Sequence, residues 1–487
     1  MAKLSVNVLV KQNMFGFIQS LVGFCSNFVL AVILPIIMGA FLFGQFSILV
    51  GLAYFLGGLF DSGFNMTAIR YISQYSTTKN YDKLKATFLH LLKCKMIIAV
   101  IFAVGLGLLS KQVVDAYSLG NQIPTIMLVS ALIIVYALVT LLSAVFVGLN
   151  KNQYSLIGNS LNSAFLILLP IAFFYLRGSL LWIVSGVLIS FIIAAFYLTG
   201  QLLTKFKQLF PKRSGQVEKR ELNTSVVNFT IISLFNLFLF WGLILMLGLF
   251  VTADRVAFFK IAVSWFAAAG LLIPISTQVL FSSVISFKAS EDVKRLEKYL
   301  NTILRYSSII IIPMTVGAFF FSELVIGWVY GAEFVEAGLA LKLIILGLFF
   351  QFISNIFSSA LVAYGRINRM AKAYLVNVVF ATVLAFAAIP SFGLVGAGAC
   401  FVVTNVSIAL MLILMSGFMK FRILQAVAKP VLVSALMAVL LFHLMPYATS
   451  AAAAILIILA TIVFYFAVLC VLKGITKSDL RLIRHLK

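Results

Sequence analysis

The residues of this chain that could do chemistry are a few charged side chains inside long apolar stretches. Lys260 lies in the segment DRVAFFKIAVSWF, five residues after Arg255, and Lys342 lies in a further apolar stretch. A Lys at the middle of a membrane helix costs about 2.5–3.5 kcal/mol on the insertion scale, so each such residue suggests a functional hypothesis. Cations in an interior that holds few acids favour an anionic substrate, such as a phosphate or an acidic sugar.

Both lysines also have a purely structural explanation. Lys260 either faces a cavity or snorkels to the membrane interface, which a residue near a helix end can do. The nearby Arg255 favours the cavity. Snorkelling is favoured for Lys342, with Glu333 and Glu336 as nearby ion-pair partners.

Asp61 is the acid most open to a functional interpretation. It lies in GGLFDSGFNMTAIR, nine residues before Arg70. It is either a coupling-ion carboxylate or an ion-pair partner of Arg70, and the pairing is the favoured interpretation. Polar and aromatic side chains inside the apolar stretches either line a cavity or make interhelical hydrogen bonds and core contacts. These residues are Asn27, Asn236 and Trp265, together with Trp241.

Other chemistries find no support in the sequence motifs. The phosphate-binding pattern GxxxxGK[ST], the patterns GxSxG and HExxH, and zinc-type spacings of Cys and His are absent from the sequence. The four cysteines form no CxxC pair and the three histidines are scattered, so we expect neither a disulfide framework nor a metal site. Every predicted external loop is short, which argues against an enzyme.

The elements that position these residues are membrane-spanning helices. Hydrophobic residues make up 63% of the 487 and charged residues 10%, whereas soluble proteins are about 45–50% apolar and about 25% charged. A spanning helix needs about 20 apolar residues, which predicts an all-α polytopic membrane protein with about fourteen transmembrane helices and an uncleaved first span. The spans are predicted near 14–36, 43–66, 94–110, 123–147, 153–176, 179–203, 226–250, 255–284, 303–322, 337–363, 371–389, 393–416, 427–446 and 449–472.

The net charge of +23 is explained by topology. An even number of spans puts both termini on one side, and 31 of the 36 Lys and Arg residues, Lys95 among them, fall on that side. The positive-inside rule identifies it as the cytoplasm, and nucleic-acid binding loses its main support. Five basic residues remain for the other side or the membrane interior: Lys111, Arg177, Arg255, Lys260 and Lys342.

An internal repeat divides the predicted spans into halves. A shift of 212 residues places NYDKLKATFLHLLKCKMIIA over DVKRLEKYLNTILRYSSIII, two basic stretches that each lead into a span. The alternative is that basic cytoplasmic hairpins resemble one another by rule. Duplication predicts parallel six-helix halves, 1–224 and 225–420, with a C-terminal helix pair and tail at 421–487.

Four segments together resemble a known family. They are LFDSGFNMTAIRYISQY, AYGRINRMAKA, PSFGLVGAGACFVVTN and KGITKSDLRLI. Their order resembles bacterial and archaeal oligosaccharide flippases, the polysaccharide transporter branch of the multidrug/oligosaccharidyl-lipid/polysaccharide exporter superfamily. The resemblance implies a cationic central cavity lined by the first, second, seventh and eighth spans, which favours Lys260 with Arg255 and Asp61 behind it. The first predicted span carries no Arg or Lys, so phosphate capture there does not carry over.

The resemblance also implies a function, partners and a location. The expected function is alternating-access movement of an isoprenoid-diphosphate-linked oligosaccharide across the cytoplasmic membrane, without a cofactor and with possible coupling to an H⁺ or Na⁺ gradient. Membrane lipid and a polysaccharide polymerase or glycosyltransferase are the expected partners. A multidrug/cation antiporter of the same superfamily and a membrane polysaccharide polymerase or ligase are the alternatives.

Overall fold

The computed structural model describes residues 6–205, 215–271, 293–416, 423–472 and 474. Within these ranges the chain is helical and forms no strand. Helices satisfy every backbone polar group within the segment, which a lipid environment requires. The two termini, the end of the eighth predicted span at 272–284 and most of the tail motif KGITKSDLRLI lie outside the described residues.

Sixteen α-helices are described. They are α1 (Val6–Gly58), α2 (Asp61–Thr77), α3 (Tyr81–Leu108), α4 (Ser110–Ala116), α5 (Ile123–Gly148), α6 (Asn152–Arg177), α7 (Leu180–Lys205), α8 (Lys219–Leu237), α9 (Leu243–Gly248), α10 (Ala253–Leu271), α11 (Val293–Tyr330), α12 (Val335–Ile344), α13 (Gly347–Ala363), α14 (Ile367–Met415), α15 (Ile423–Leu444) and α16 (Ala451–Val471). A π-helical turn, Phe238–Gly242, joins α8 to α9.

The predicted all-α polytopic membrane class is confirmed. Ten helical segments within the described ranges are long and apolar enough to cross a membrane, or eleven if the bent pair α12–α13 counts as one span. The predicted number of fourteen is not confirmed by this count.

Two of the long helices contain a glycine that leaves the helical conformation. Gly39 in α1 has φ 77° and Gly393 in α14 has φ 51°. Glycine populates positive φ without the steric cost that a Cβ brings. Both breaks fall where the sequence predicts a turn between two spans, beside Pro35 and Pro390. The number of membrane crossings that α1 and α14 make stays a prediction.

The contacts group the chain into two units. Unit 1 comprises Met1–Lys260 with Ala385–Leu394, and unit 2 comprises Ile261–Leu384 with Val395–Lys487. The predicted division at residues 224 and 420 stays a prediction.

In unit 1, helix α5 packs against α1, α2, α3 and α7, and α6 packs along α7. One face of α5 is fully buried, including Ile126, Val129 and Leu132. Helices α2 and α3, which carry Asp61 and Lys95, therefore both pack against α5, which carries Thr140.

In unit 2, helix α11 packs against α12 and α15, and α15 packs against α16. The buried Tyr465 of α16 donates a hydrogen bond from its hydroxyl to the carbonyl of Ile309, 3.0 Å away. Val433, Met437 and Leu441 of α15 complete this core. The C-terminal helices α15 and α16 are therefore an integral part of unit 2.

Gly44 gives a test of the packing in unit 1. A Cβ added to Gly44 would lie 1.7 Å from the carbonyl oxygen of Ala253 at the start of α10. Because a backbone atom cannot move aside cheaply, we expect Gly44→Ala to lower the free energy of unfolding by about 1–3 kcal/mol or more. Thermal unfolding of the purified protein in detergent measures the effect.

Gly23 is the matched control on the same helix, since nothing lies within 4 Å of the position that a Cβ would take there. Gly23→Ala should leave the melting temperature unchanged or raise it slightly, because alanine favours helix. Equal melting temperatures for the two variants would contradict the close approach of α1 and α10.

Candidate functional site

A cavity in unit 1 brings together polar side chains from several helices. Its free volume is about 40 Å³, and apolar residues of α1, α6 and α7 form most of its wall. The polar and aromatic lining comes from Asn27 and Tyr54 on either side of the Gly39 break in α1, Trp241 in the π-helical turn, and Lys260 in α10. We call it the Lys260 cavity. These segments correspond to the first, second, seventh and eighth predicted spans.

The charge of Lys260 lies against an aromatic face. Its Nζ atom is 4.1 Å from the centroid of the Trp241 ring, which is cation–π geometry. Trp241 lies in a π-helical turn, an irregularity that is frequent at functional sites. Lys260 is only partly buried, and its ammonium group lines the cavity.

Aromatic side chains hold Trp241 in place. The ring centroid of Tyr54 is 5.0 Å from that of Trp241 and 5.4 Å from that of Tyr136. Phe191 of α7 packs against both tyrosines, with centroids 6.2 and 5.8 Å away. Aromatic pairs at these separations stabilise one another beyond the area that they bury. The indole that lines the cavity is therefore packed within an aromatic cluster.

The arrangement suits recognition of a polar, anionic ligand. A lysine ammonium can donate hydrogen bonds to phosphate or carboxylate oxygens, and the amide of Asn27 can both donate and accept. The exposed Asn27 amide also donates to the carbonyl of Gly23, 2.8 Å away, which orients it. A tryptophan face is a surface on which a sugar ring can stack.

Arg255 lies in a second and larger cavity of unit 1, of about 620 Å³. Phe41 of α1, Tyr117 and Ser118 after α4, and the turn from Gly248 to Arg255 line it. Burial raises the pKa of Tyr117 to about 12. Its phenol, which is protonated at neutral pH even at the ordinary pKa, can donate a hydrogen bond. The volume of this second cavity falls in the range of small-molecule sites, about 300–1,000 Å³.

The predicted pairing of Asp61 with Arg70 is wrong. Asp61 Oδ1 lies 2.6 Å from the Nζ atom of Lys95 in α3, and both residues are buried, with 8% and 3% of their surfaces exposed. Arg70 is exposed, and its guanidinium lies over the ring of Tyr71 at 5.4 Å. Asp61 opens α2 inside the bundle, and Arg70 lies more than two turns further along the helix on the surface.

Lys95 is therefore also misassigned by the sequence, which counts it among the cytoplasmic loop charges. Its Nζ donates to Asn65 Oδ1 and Thr140 Oγ1, each 2.9 Å away, in addition to Asp61. The Thr140 hydroxyl donates to Asp61 Oδ1, and the Asn65 amide donates to Asp61 Oδ2 at 2.9 Å. We call these four residues the Asp61–Lys95 cluster.

In unit 2, Lys342 has a partner that differs from the expected ones. Its Nζ lies 2.8 Å from Glu323 Oε1 of α11, so the expectation of Glu333 or Glu336 is wrong. Trp265 donates from its indole nitrogen to the hydroxyl of Tyr330, 3.0 Å away.

Asn236 lies in unit 1, exposed on α8 two residues before the π-helical turn. A role for Asn236, Lys342 or Trp265 in substrate binding stays a prediction. Among the residues that the structure describes, no group of three or more His, Cys, Asp or Glu side chains could hold a metal ion.

The fold is shared with solved structures of membrane transporters. The chain resembles the solved structure of a lipid II flippase, MurJ in an inward closed conformation, with a TM-score of 0.70 and 16% identity over 94% of this chain and 97% of that one. It also resembles an inward-facing multidrug resistance transporter of the MATE family, with a TM-score of 0.66 and 15% identity over 84% and 95% of the two chains. At these identities the likenesses show the fold alone.

The family follows from the sequence itself. Residues 13–282 match the model of the family described as polysaccharide biosynthesis protein, and the chain belongs to that family. A probable low-salt glycan biosynthesis flippase of Haloferax volcanii, Agl15, is 25% identical over 180 residues, which are 37% of this chain and 38% of that protein. The family resemblance predicted from the four motifs is confirmed, and the match to Agl15 spans well under half of that protein's length.

The two ion pairs differ in burial, which gives a prediction about stability. Asp61→Ala leaves the Lys95 ammonium buried without its counter-ion, and we expect a loss of about 3–5 kcal/mol in the free energy of unfolding. Lys342→Ala removes half of a pair whose side chains are 26% and 45% exposed, and we expect a loss of at most about 1 kcal/mol. Thermal or denaturant unfolding in detergent compares the two variants. Similar losses for both would refute the difference in burial.

Proposed function

We propose that this protein is a flippase that moves an isoprenoid-diphosphate-linked oligosaccharide from the inner to the outer leaflet of the cytoplasmic membrane. The family is one of polysaccharide biosynthesis, and the Haloferax volcanii relative is a probable glycan biosynthesis flippase. The fold shared with a lipid II flippase supports the same class of function. We take the oligosaccharide to be a repeat unit for surface polysaccharide synthesis.

The observation that carries the proposal is the Lys260 cavity. A lysine ammonium, a tryptophan face, a tyrosine and an amide converge from both arms of α1, the π-helical turn and α10. A cation favours the diphosphate or an acidic sugar, and the aromatic and amide groups suit sugar rings and hydroxyls. With a free volume of about 40 Å³, the cavity must widen to admit a sugar, as alternating access requires.

Arg255 gives the substrate a second cationic position within unit 1. Arg255 lines the larger cavity. It lies in α10, five residues before Lys260 on the same helix. We propose that an anionic group contacts one of these residues before the other as the substrate moves. The lipid tail stays in the bilayer, since isoprenoid chains partition into hydrocarbon.

We also propose an orientation of the chain in the membrane, protein partners and an ion gradient that drives transport. Both termini lie in the cytoplasm, because that arrangement places most basic loops there. A polysaccharide polymerase or a glycosyltransferase supplies or receives the glycan, and an H⁺ or Na⁺ gradient drives the cycle. No chemical step takes place on the protein.

The central test is removal of the Lys260 charge. Lys260→Ala should lower the translocation of a lipid-linked oligosaccharide in proteoliposomes by about 10-fold or more, since a hydrogen bond to a charged group contributes about 1.5–3 kcal/mol. Lys260→Arg keeps the cation and should retain most of the rate. Equal membrane levels of the variants are checked by immunoblot.

Arg177→Ala is the matched control. Arg177 is an exposed cation of unit 1 that lies over a tryptophan, Trp182, at 5.2 Å, outside the Lys260 cavity. Its loss should leave translocation unchanged. Full activity of Lys260→Ala, or an equal loss in Arg177→Ala, would mean that the Lys260 charge does not act on the substrate.

A drug/cation antiporter is the second candidate, because the fold is shared with MATE transporters. The same proteoliposomes distinguish the two functions when they are loaded with a cationic dye. Dye export driven by a Na⁺ or H⁺ gradient, without oligosaccharide movement, would replace the flippase by the antiporter.

The orientation has its own test. A phosphatase that is active only outside the cytoplasm should be inactive when fused after residue 487, and a fluorescent protein that folds in the cytoplasm should be bright there. The opposite pair of results would put the C-terminus outside and make the number of spans odd or the orientation reversed.

A further inference from the structure

The Asp61–Lys95 cluster of unit 1 has the composition of a cation site. Three oxygen atoms of different types surround the Nζ atom of Lys95: the carboxylate of Asp61 at 2.6 Å, the amide oxygen of Asn65 at 2.9 Å and the hydroxyl of Thr140 at 2.9 Å. Carboxylate, amide and hydroxyl oxygens are the ligands that hard cations take in proteins. The ammonium of Lys95 is therefore hydrogen-bonded to three oxygen atoms of its own chain.

The hydrogen bonds of the Asp61–Lys95 cluster are complete. Lys95 has three N–H donors, and each finds one of the three oxygens. The two carboxylate oxygens of Asp61 accept from Lys95, Thr140 and Asn65. Because every polar atom of the cluster has a partner, the buried pair avoids the penalty of an unsatisfied charge.

The oxygens come from two neighbouring helices and the cation from a third. Asp61 and Asn65 are one turn apart on α2, Thr140 lies on the central helix α5, and Lys95 reaches them from α3. A cavity of about 10 Å³ beside Asp61 and Lys95 is close to the smallest that holds one water molecule, about 10–15 Å³. The cluster therefore has little free space beside it.

We propose that Asp61, Asn65 and Thr140 form a monovalent-cation site whose resident cation is the Lys95 ammonium, a counter-ion tethered to the chain. While Lys95 is in place, the site takes no Na⁺ from solution. When the ammonium is removed, the buried carboxylate and its two neighbouring oxygens bind Na⁺ in its stead. Asp61 then does not carry an exchangeable coupling ion.

The experiment compares thermal unfolding of the purified full-length protein in detergent, with NaCl or choline chloride at equal ionic strength. Lys95→Met keeps the apolar stem and removes the ammonium. Its melting temperature should be lower than that of the wild type in choline chloride and should rise by about 2 °C or more, saturably, with NaCl. The wild type should respond to the two salts alike.

The double variant Asp61→Asn/Lys95→Met is the matched control. It removes both charges, so it should unfold at a higher temperature than Lys95→Met in choline chloride and show no preference for Na⁺. Thr140→Val added to Lys95→Met should weaken the response to Na⁺. A Na⁺ response of Lys95→Met no larger than that of the double variant overturns the proposal.

A second comparison does not use the single variant Lys95→Met, and so does not depend on whether that variant folds. If Lys95→Met does not accumulate, the wild type and the double variant are compared alone. Equal responses to NaCl and choline chloride in both support the tethered cation, and a Na⁺-specific stabilisation that only the wild type shows overturns it. The measurement involves no transport, so its outcome is independent of the proposed flippase activity.

Discussion

The cost of a charge inside an apolar helix bundle is the constraint on which the rest of this structure depends. An isolated ion loses its hydration there, and only a counter-ion with a complete set of hydrogen bonds restores most of the loss. The Asp61–Lys95 cluster meets this requirement in full, with every donor of Lys95 paired. Its charges cancel inside unit 1, so the cluster contributes little electric field at a distance.

Lys260 meets the same constraint in another way. Its ammonium lies against the face of Trp241, and the residue lines a cavity. The quadrupole of an indole stabilises a cation without neutralising it. The Lys260 cavity therefore combines a cationic and an aromatic lining group.

Local departures from the α-helix place the residues of this cavity. Gly39 divides α1 so that Asn27 and Tyr54 belong to two separate arms. The π-helical turn at Phe238–Gly242 accommodates an extra residue, which rotates the side chains that follow by about 100° relative to a continuous α-helix. Trp241 lies within that turn, so its direction depends on the irregularity.

The sequence predicts the helical class correctly and singles out Lys260 as a charge inside an apolar stretch, because both rest on composition and hydropathy. It does not predict the partner of Asp61. Lys95 follows Lys93 in a basic stretch, and only the apolar run MIIAV directly after it signals that the chain already enters the bundle. The pairing joins helices α2 and α3 over 34 residues, and such separations depend on packing that periodicity does not encode.

The π-helical turn is equally hidden from the sequence. The segment FLFWG reads as an ordinary part of an apolar helix, with no proline and with a single glycine at its end. Trp241 therefore resembles any membrane tryptophan until its ring is seen beneath Lys260. The position of Lys260 is readable from one helix, but the surroundings of its side chain come from four segments that meet only in the folded bundle.

The two lysines show why a count of buried charges does not by itself identify a binding site. Lys95 is the more deeply buried of the two, yet its ammonium is fully engaged with oxygens of its own chain. Recognition of an anion requires donors that can turn towards a ligand, and a cation held by three oxygens has none left. Lys260 is partly exposed and lines a cavity. Within unit 1, the Lys95 charge is therefore satisfied inside the bundle, whereas Lys260 is the lysine that lines a cavity.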